Sequence, residues 1–577
     1  MISSSPSDAD PLHAPLGKTE RRMFFALFVG VLVFRIFYTS HFRIDSDEPQ
    51  HLHVVWGWLN GLLPYRDVFD NHTPLFQFLC TPLLWLTGEH GDSLIWMRLA
   101  MLPFQGVVLW CVYRLGLTLF SQRVGLWAAL LTGYQHHYLL ISTEFRPDDM
   151  WAALWMLALC ILLTGPFTVR RAFWCGVILG TSFAVSLKTT LLLISLGTAL
   201  SVGLLAKLIA KQTNPWKWIA RRLGATFAGM IILPALVCTG VASLGMWKEF
   251  YYCTITHNVV PGLGSWGEPP RIVRWSYLAF LALAIPLVCR MVRKQAKHDL
   301  GLRRGIIFIS AGSIITLLYS YWPLIERETL LPFIPSAMVI VAAMLMWPAE
   351  ILMRRGKQGV FTFHLLPLFV VTCFVGMMIH RSPLNEDKTA AFVEQINLIL
   401  KLTDKHDLIM DAKGDSIYRH RPFYFGLEPV TLKRIANGSI TDDIPQQMIR
   451  TKTCVATLTG LRGDDATFVH ENYLHIAPRV LVAGRRIPRT QDEAPFEFNN
   501  LIAARYTLIG MNEAVTAKID NQPFTGPAFL DAGPHTIQIN NTKGAVALVW
   551  AQAVERGFSP FSDFIISDRP THLPDDE

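Results

Sequence analysis

RIDSDEPQHLHVVWGWLNGLLPYRDVFDNHTPL occupies residues 43–75 and follows an apolar run at 23–41. Its opening holds Asp45, Asp47 and Glu48, then His51 and His53, and Leu52, Val55, Trp56, Leu59, Leu62 and Leu63 recur at three- and four-residue spacing. That periodicity predicts an amphipathic helix over 48–63 lying along a membrane surface. Pro49 falls in its first turn, where the missing N–H has no intrahelical partner to lose. Asp47 and Glu48 then stand at the helix start, near the level of lipid headgroups. Capping and the helix dipole account for one acid at such a position. They do not account for Asp45, Asp47, Glu48, His51 and His53 together, and ionisable groups at a membrane edge are costly enough to mark a site.

Working outward, 51% of the 577 residues are hydrophobic, and many apolar runs approach the roughly 20 residues needed to cross a bilayer. Runs at 23–41, 94–117, 124–141, 150–164, 173–187, 191–208, 223–244, 275–292, 305–321, 331–347 and 360–379 predict a polytopic α-helical membrane protein with about eleven spans. The first run has no cleavage-site pattern after it and reads as a retained span. The formal charge of +8 does not point to nucleic acid, because the basic residues sit in alternate short loops. Lys18, Arg21 and Arg22, then Arg123, Arg170 and Arg171, the blocks 207–222 and 290–304, and Arg354, Arg355 and Lys357 all fall on the cytoplasmic side. Residues 1–22 are then a cytoplasmic tail and 23–380 the membrane domain. Its outer loop 42–93 carries the acidic motif, and everything after His380 lies outside. Counting 74–87 (PLFQFLCTPLLWLT) as a span would invert each later loop, so it reads as a re-entrant or interfacial helix.

Beyond residue 380 the pattern changes. A helix is expected over 389–402 and strands over 407–411 and 453–458, giving an α/β segment over 381–494. Apolar–polar alternation between Gly, Pro and Asn turns then predicts a β-sandwich-like module over 495–577. Cys454 is the lone cysteine of this tail, so no disulfide can form within it.

The outer loops collect both signs of charge: Asp47, Glu48, Arg66, Asp67, Asp70 and His72 in the first, Glu144, Arg146, Asp148 and Asp149 in the second. Lys188 lies in SLKTT, and later loops add His257, Asn258, Glu268, Arg271, Glu326, Arg327 and Glu328. No metal-ligand spacing appears, and no metal ligand is assigned. The acids remain of a kind that holds a divalent cation at a phosphate.

The Asp47-Glu48 pair just after the first span, GLLPYRD at 61–67 and the Pro-Leu start of the next apolar helix together resemble the GT-C glycosyltransferases. The nearest branch is the protein O-mannosyltransferase and aminoarabinose transferase group. EFRPDD (144–149) resembles the second acidic motif of that superfamily, SLKTT its lysine site, and RETLLPFIP (327–335) its late-loop motif. The likeness covers residues 20–380. His72-Thr73-Pro74-Leu75 stands where the aminoarabinose branch has a lysine and Pro-Pro-Leu, so the donor sugar is not carried over.

The resemblance implies a GT-C fold and a single inverting displacement from a polyprenyl-phosphate sugar. A carboxylate must then take the proton of the incoming hydroxyl, and Asp47 is the candidate, with Glu48 as an orienting or substrate-binding acid. The leaving phosphate must meet positive charge, for which Arg146, Lys188 and Arg327 are candidates. Asp148 would hold Arg146 or bind sugar hydroxyls, His257 could serve either role, and Arg66 joins the substrate-binding set. The partners implied are a lipid-linked sugar donor, membrane lipids and a cell-envelope acceptor (lipid A, a polysaccharide, a glycolipid or a protein), with no nucleic acid. The bacterial inner membrane is the expected location, with the tail periplasmic. A transporter or flippase of lipid-linked sugars, or a non-catalytic scaffold of an envelope complex, are the rival readings.

Overall fold

A computed structural model describes residues 14–209, 216–264, 271–294, 299–354, 362–488, 494–511, 514–540 and 544–561. Glu268 lies outside these residues. The chain divides into two compact units. The first gathers the chain up to Glu48, Asn71–Leu83 and Leu94–Thr389; the second gathers Pro49–Asp70, Leu84–Ser93 and the chain from Ala390 onward.

The first unit is helical. Eight helices among the described residues are long and apolar enough to cross a membrane: Lys18–Thr39, Ser93–Leu119, Thr189–Ile209, Ile219–Ser243, Trp275–Arg293, Leu300–Tyr321, Phe333–Leu352 and Phe363–Arg381. The chain is a multi-pass membrane protein. The expected count of about eleven is not confirmed, because the other three segments form helices below this length. Pro147–Leu163 and Val169–Val185 have 17 residues each, about 25 Å of helix. The run at 124–141 is broken into Gln122–Tyr134 and His136–Ile141, since Gln135 leaves helical geometry (φ −59°, ψ 112°) and its side chain accepts from Tyr138 N. Leu75–Thr87 is a helix of 13 residues with Pro82 inside, and reaches about 20 Å.

Small residues set the closest helix packing. Val169–Val185 lies against Trp216–Ser243, and a Cβ at Gly176 or Gly180 would collide with the carbonyls of Thr226 or Met230. Without a hydrophobic driving force between helices in lipid, such close backbone approach is what holds a pair together.

The second unit is built on two sheets. Its strands are β1 (Ile409–Met410), β2 (Val455–Thr457), β3 (Tyr473–Ala477), β4 (Val480–Ile487), β5 (Phe496–Asn500), β6 (Ala504–Gly510), β7 (Ala517–Ile519), β8 (Gln522–Phe524), β9 (Ala528–Leu530), β10 (Gly533–Ile539) and β11 (Val546–Trp550). One sheet runs β1-β2-β4-β11-β6-β9 with β3 also on β4, and the other runs β5-β10-β7-β8. β1 and β2 are parallel; the other pairs are antiparallel. The helix Ala390–Leu402 stands where a helix was expected over 389–402, and its Ile399 and Leu402 enter the core with Ile409, Val455, Leu481 and Leu548. The larger sheet crosses the expected boundary at 494/495, because β4 pairs with β11 from Gly484–Val549 to Ile487–Val546. The α/β and β-rich segments therefore share one sheet.

The helix of the opening stretch runs Asp47–Leu59. Residues 49–57 are buried all round, so it is a core helix and not the amphipathic surface helix expected over 48–63. Its partners in the second unit explain the burial. His53 Nδ1–H donates to Ile417 O at 2.7 Å, Trp56 Nε1–H donates to Glu89 at 3.0 Å, and the Trp56 ring meets His420 edge-on. Farther along, the Tyr424 hydroxyl donates to Tyr65 O, and Gly91 N–H donates to Asn397 Oδ1.

Candidate active site

In the first unit charged residues from several loops converge on one guanidinium. Arg146 caps the start of helix Pro147–Leu163 in extended geometry, which turns its side chain away from the helix. Its Nη1 lies 3.0 Å from Asp45 Oδ1 and 3.5 Å from Glu144 Oε2; its Nη2 lies 2.7 Å from Asp47 Oδ2 and 3.0 Å from Glu328 Oε1; its Nε lies 3.6 Å from Asp148 Oδ2. Lys188 sits beside it, 3.0 Å from Asp148 Oδ1 and 3.3 Å from Glu328 Oε1. Arg43 closes the other side, 2.7 Å from Asp45 and 3.4 Å from Glu144.

Five carboxylates therefore share three cations, and the shared charge is unevenly held. Burial pulls Arg146 toward neutrality, but Glu328, Asp47, Asp148 and Glu144 lift it well above its usual range, so it stays charged. Lys188 behaves alike: burial opposes its charge, and Asp148 and Glu328 outweigh it. Burial also opposes ionisation of Asp45, yet Arg146, with Arg43, holds its carboxyl below the usual range. Glu144 goes the other way. Burial pushes it well above the usual carboxylate range, past what Arg146 and Arg43 offset. Its contacts of 3.4–3.5 Å are longer than charge-assisted bonds.

Access separates these groups. The Asp47 side chain is 29% exposed, Asp45 21% and Lys188 23%, whereas Glu144 shows 1% and Glu328 6%. Asp47 is thus an ionic partner of Arg146 that a second molecule can reach. Glu48 is not. Its oxygens receive Arg98 Nη2 at 2.6 Å, Arg98 Nε at 2.7 Å, Phe145 N at 2.8 Å and Asp45 N at 2.9 Å, and neither side chain of the Glu48–Arg98 pair has exposed surface. Arg98 further donates to the carbonyls of Thr39, Phe42 and Arg43. Glu48 therefore holds the turn that presents Asp47, the orienting one of the two roles expected of it, with no exposed side-chain surface.

Three other expected site residues fall elsewhere. His257 is wholly buried after the π-helical turn Tyr252–Thr256, against the Tyr252 ring. Its ring has no surface for a ligand. Arg327 is exposed and makes no ion pair among the described residues; its carbonyl meets His137 Nε2 at 2.8 Å, and it is its neighbour Glu328 that turns inward. Arg66 belongs to the second unit, forked onto Asp67 at 2.9 Å. Among the described residues no group of three or more His, Cys, Asp and Glu is placed to hold a metal ion.

Residue choice missed Glu328, Glu144 and Arg98. The first two lie inside motifs already noted; the signal for Arg98 is a lone arginine in an apolar run, which must find an acid.

No protein-family model and no curated protein sequence matches the chain. Solved structures do. ArnT from Cupriavidus metallidurans in the apo state aligns with a TM-score of 0.54 at 12% identity, over 80% of this chain and 98% of that one. The same protein bound to undecaprenyl phosphate gives 0.55 at 12% identity and the same coverage. The Archaeoglobus fulgidus oligosaccharyltransferase in complex with Zn and sulfate gives 0.41 at 11% identity, over 77% of this chain and 71% of that one. Over 80% of its length this chain shares the fold of ArnT, which is the GT-C fold.

Proposed function

We propose that this protein is an inverting glycosyltransferase that moves a hexose or pentose from a polyprenyl-phosphate donor to a cell-envelope acceptor. The reaction takes place on the periplasmic face of the bacterial inner membrane, with the N-terminus cytoplasmic. The observation that carries this reading is the Arg146 centre, where a reachable carboxylate, Asp47, and two cations, Arg146 and Lys188, are held within one ion-pair network.

In the displacement, an acceptor oxygen forms its bond to the anomeric carbon while the bond from that carbon to the phosphate oxygen breaks. Asp47 takes the hydroxyl proton, and the electron pair leaves with the polyprenyl phosphate. Arg146 and Lys188 meet that developing charge, exchanging part of their contact with Glu328 and Asp148 for phosphate oxygen. ArnT, whose fold this chain shares, has been captured with undecaprenyl phosphate, which supports a lipid-phosphate donor here. The acceptor is lipid A, a polysaccharide, a glycolipid or a protein.

The test is transfer in proteoliposomes from a pool of polyprenyl-phosphate sugars to an envelope extract, comparing wild type with Asp47→Asn. Loss of a general base lowers turnover by about 10²–10⁴, and the variant should unfold at the wild-type midpoint. Equal transfer by both proteins would remove Asp47 from the mechanism. Movement of the donor across the bilayer with no new glycosidic bond would replace the transferase reading by transport.

A further inference from the structure

The second unit has a cleft that plays no part in the transfer reaction. It lies wholly within residues 407–552, and its space of about 230 Å³ exceeds the roughly 150 Å³ that admits a benzene molecule in a protein interior. The backbone at its rim is unusual. Lys452 follows the helix Ile444–Arg450 with φ 52°, its N–H donating to Ile449 O while Thr453 N–H donates to Met448 O. This is the helix-ending turn whose left-handed position glycine ordinarily fills. A lysine there bears a backbone cost that glycine does not, and what it adds is an ammonium.

That ammonium lies 5.7 Å from the centre of the Phe529 ring and makes no ion pair among the described residues. Phe529 of β9 stands opposite Arg505 of β6, and side chains opposite each other on paired strands share one face of the sheet. Lys452 and Arg505 therefore form one cationic part of the lining. Arg505 is tied only to Glu555, at 3.1 Å and with both side chains about half exposed, an ion pair that water and salt readily loosen. Another part of the lining is made of acceptors. Asp407 Oδ2 receives Asp404 N–H at 2.7 Å and Gln552 Nε2–H at 2.9 Å, and Gln552 Nε2 also donates to Leu402 O. Both side chains are thus fixed, while Asp407 Oδ1 and Gln552 Oε1 receive no donor among the described residues. Val455 and Trp550, both buried, add apolar surface.

A bare phosphate would engage the cations but fill little of the cleft, and its oxygens would offer nothing to the two acceptors. A neutral sugar would serve the acceptors and leave the ammonium unmatched. A molecule of monosaccharide size with one carboxylate and several hydroxyls satisfies both parts. We propose that this cleft binds such a hydroxylated carboxylate, a sugar acid, with Lys452 and Arg505 on its carboxylate and with Asp407 Oδ1 and Gln552 Oε1 accepting from its hydroxyls. The inference does not rest on the transferase reading, because binding is read without turnover.

The experiment uses the full chain in nanodiscs of uncharged lipid and saturation-transfer NMR with glucuronate at millimolar concentration, challenged in turn by methyl glucoside and inorganic phosphate. Glucuronate should give a saturable signal that neither competitor displaces at equal concentration. Lys452→Gly should weaken glucuronate about tenfold while unfolding no earlier than wild type, since glycine suits that backbone. Arg505→Gln, at an exposed position, should weaken it as well. The Arg146 centre also carries cations, and neither variant touches it, so a glucuronate signal unchanged in both variants would belong there and overturn the assignment. So would the lack of a saturable glucuronate signal, or its displacement by either competitor at equal concentration.

Discussion

Replacing Glu48 by glutamine should destabilise this protein far more than it alters its chemistry. The carboxylate receives four donors through two oxygens, two of them from Arg98, with no exposed surface on either side chain. A glutamine keeps one acceptor oxygen and turns an NH₂ group toward two of those donors. Arg98 then retains its three backbone carbonyls but loses its counter-ion. Breaking a buried pair from one side costs about 3–5 kcal/mol. Arg98→Met fails from the other side, leaving Glu48 as an uncompensated buried charge and those carbonyls without their donor. The two changes act on one interaction, so the double variant should fall short of additivity by about 2–3 kcal/mol. Equilibrium unfolding in mixed micelles, on wild type, both single variants and the double variant, measures each quantity. Single-variant losses below about 1 kcal/mol, or an additive double variant, would refute the structural role of Glu48. A Glu48→Gln protein as stable as wild type but inactive would return this acid to the substrate.

Arg146→Lys keeps the charge but cannot span Asp45, Asp47 and Glu328 together, so transfer should drop about 10²–10³-fold, or roughly 3–4 kcal/mol in the barrier; a rate within a factor of two of wild type would exclude phosphate contact by the guanidinium. His53 adds an acid-sensitive element, because burial lowers it from 6.5 to about 4 in the folded protein. The unfolded chain then binds the proton more readily, so stability is full above pH 6.5 and falls by up to about 3 kcal/mol as the pH drops to 4. Denaturant midpoints across that range should flatten in a His53→Gln variant. Gly176→Leu or Gly180→Leu should force apart the helices Val169–Val185 and Trp216–Ser243 at about 1–3 kcal/mol each. Gly197→Ala, whose added Cβ meets nothing within 4 Å, is the control and should melt with wild type.

What could be read in the chain follows from how local each signal is. The spans, the short helix Leu75–Thr87 and the charge-rich loops, EFRPDD and SLKTT among them, are written in contiguous composition. The choice between Arg327 and Glu328 was not, because both lie in a single 3-10 turn, Arg327–Leu330, where successive side chains point about 120° apart. The burial of Asp47–Leu59 was hidden too: apolar residues at three- and four-residue spacing look alike whether the far side meets lipid, water or protein. The join of β4 to β11 depends on strands some sixty residues apart, and local alternation carries no register for such a pairing. Arg98 was overlooked because one arginine hardly alters the hydropathy of a long apolar run.

The interleaving of the two units bears on how this protein could be cut or recombined. Truncation before Ala390 would not detach a free-standing appendage. It would remove Ile417 from His53, His420 from Trp56, Tyr424 from Tyr65 and Asn397 from Gly91, unclothing the same helix whose first residue is Asp47. A tail expressed alone would likewise lack the helix around which part of it folds. A chimera that exchanges tails between relatives must therefore carry residues 49–70 and 84–93 with the graft, and the tail and first outer loop are expected to change in concert during evolution.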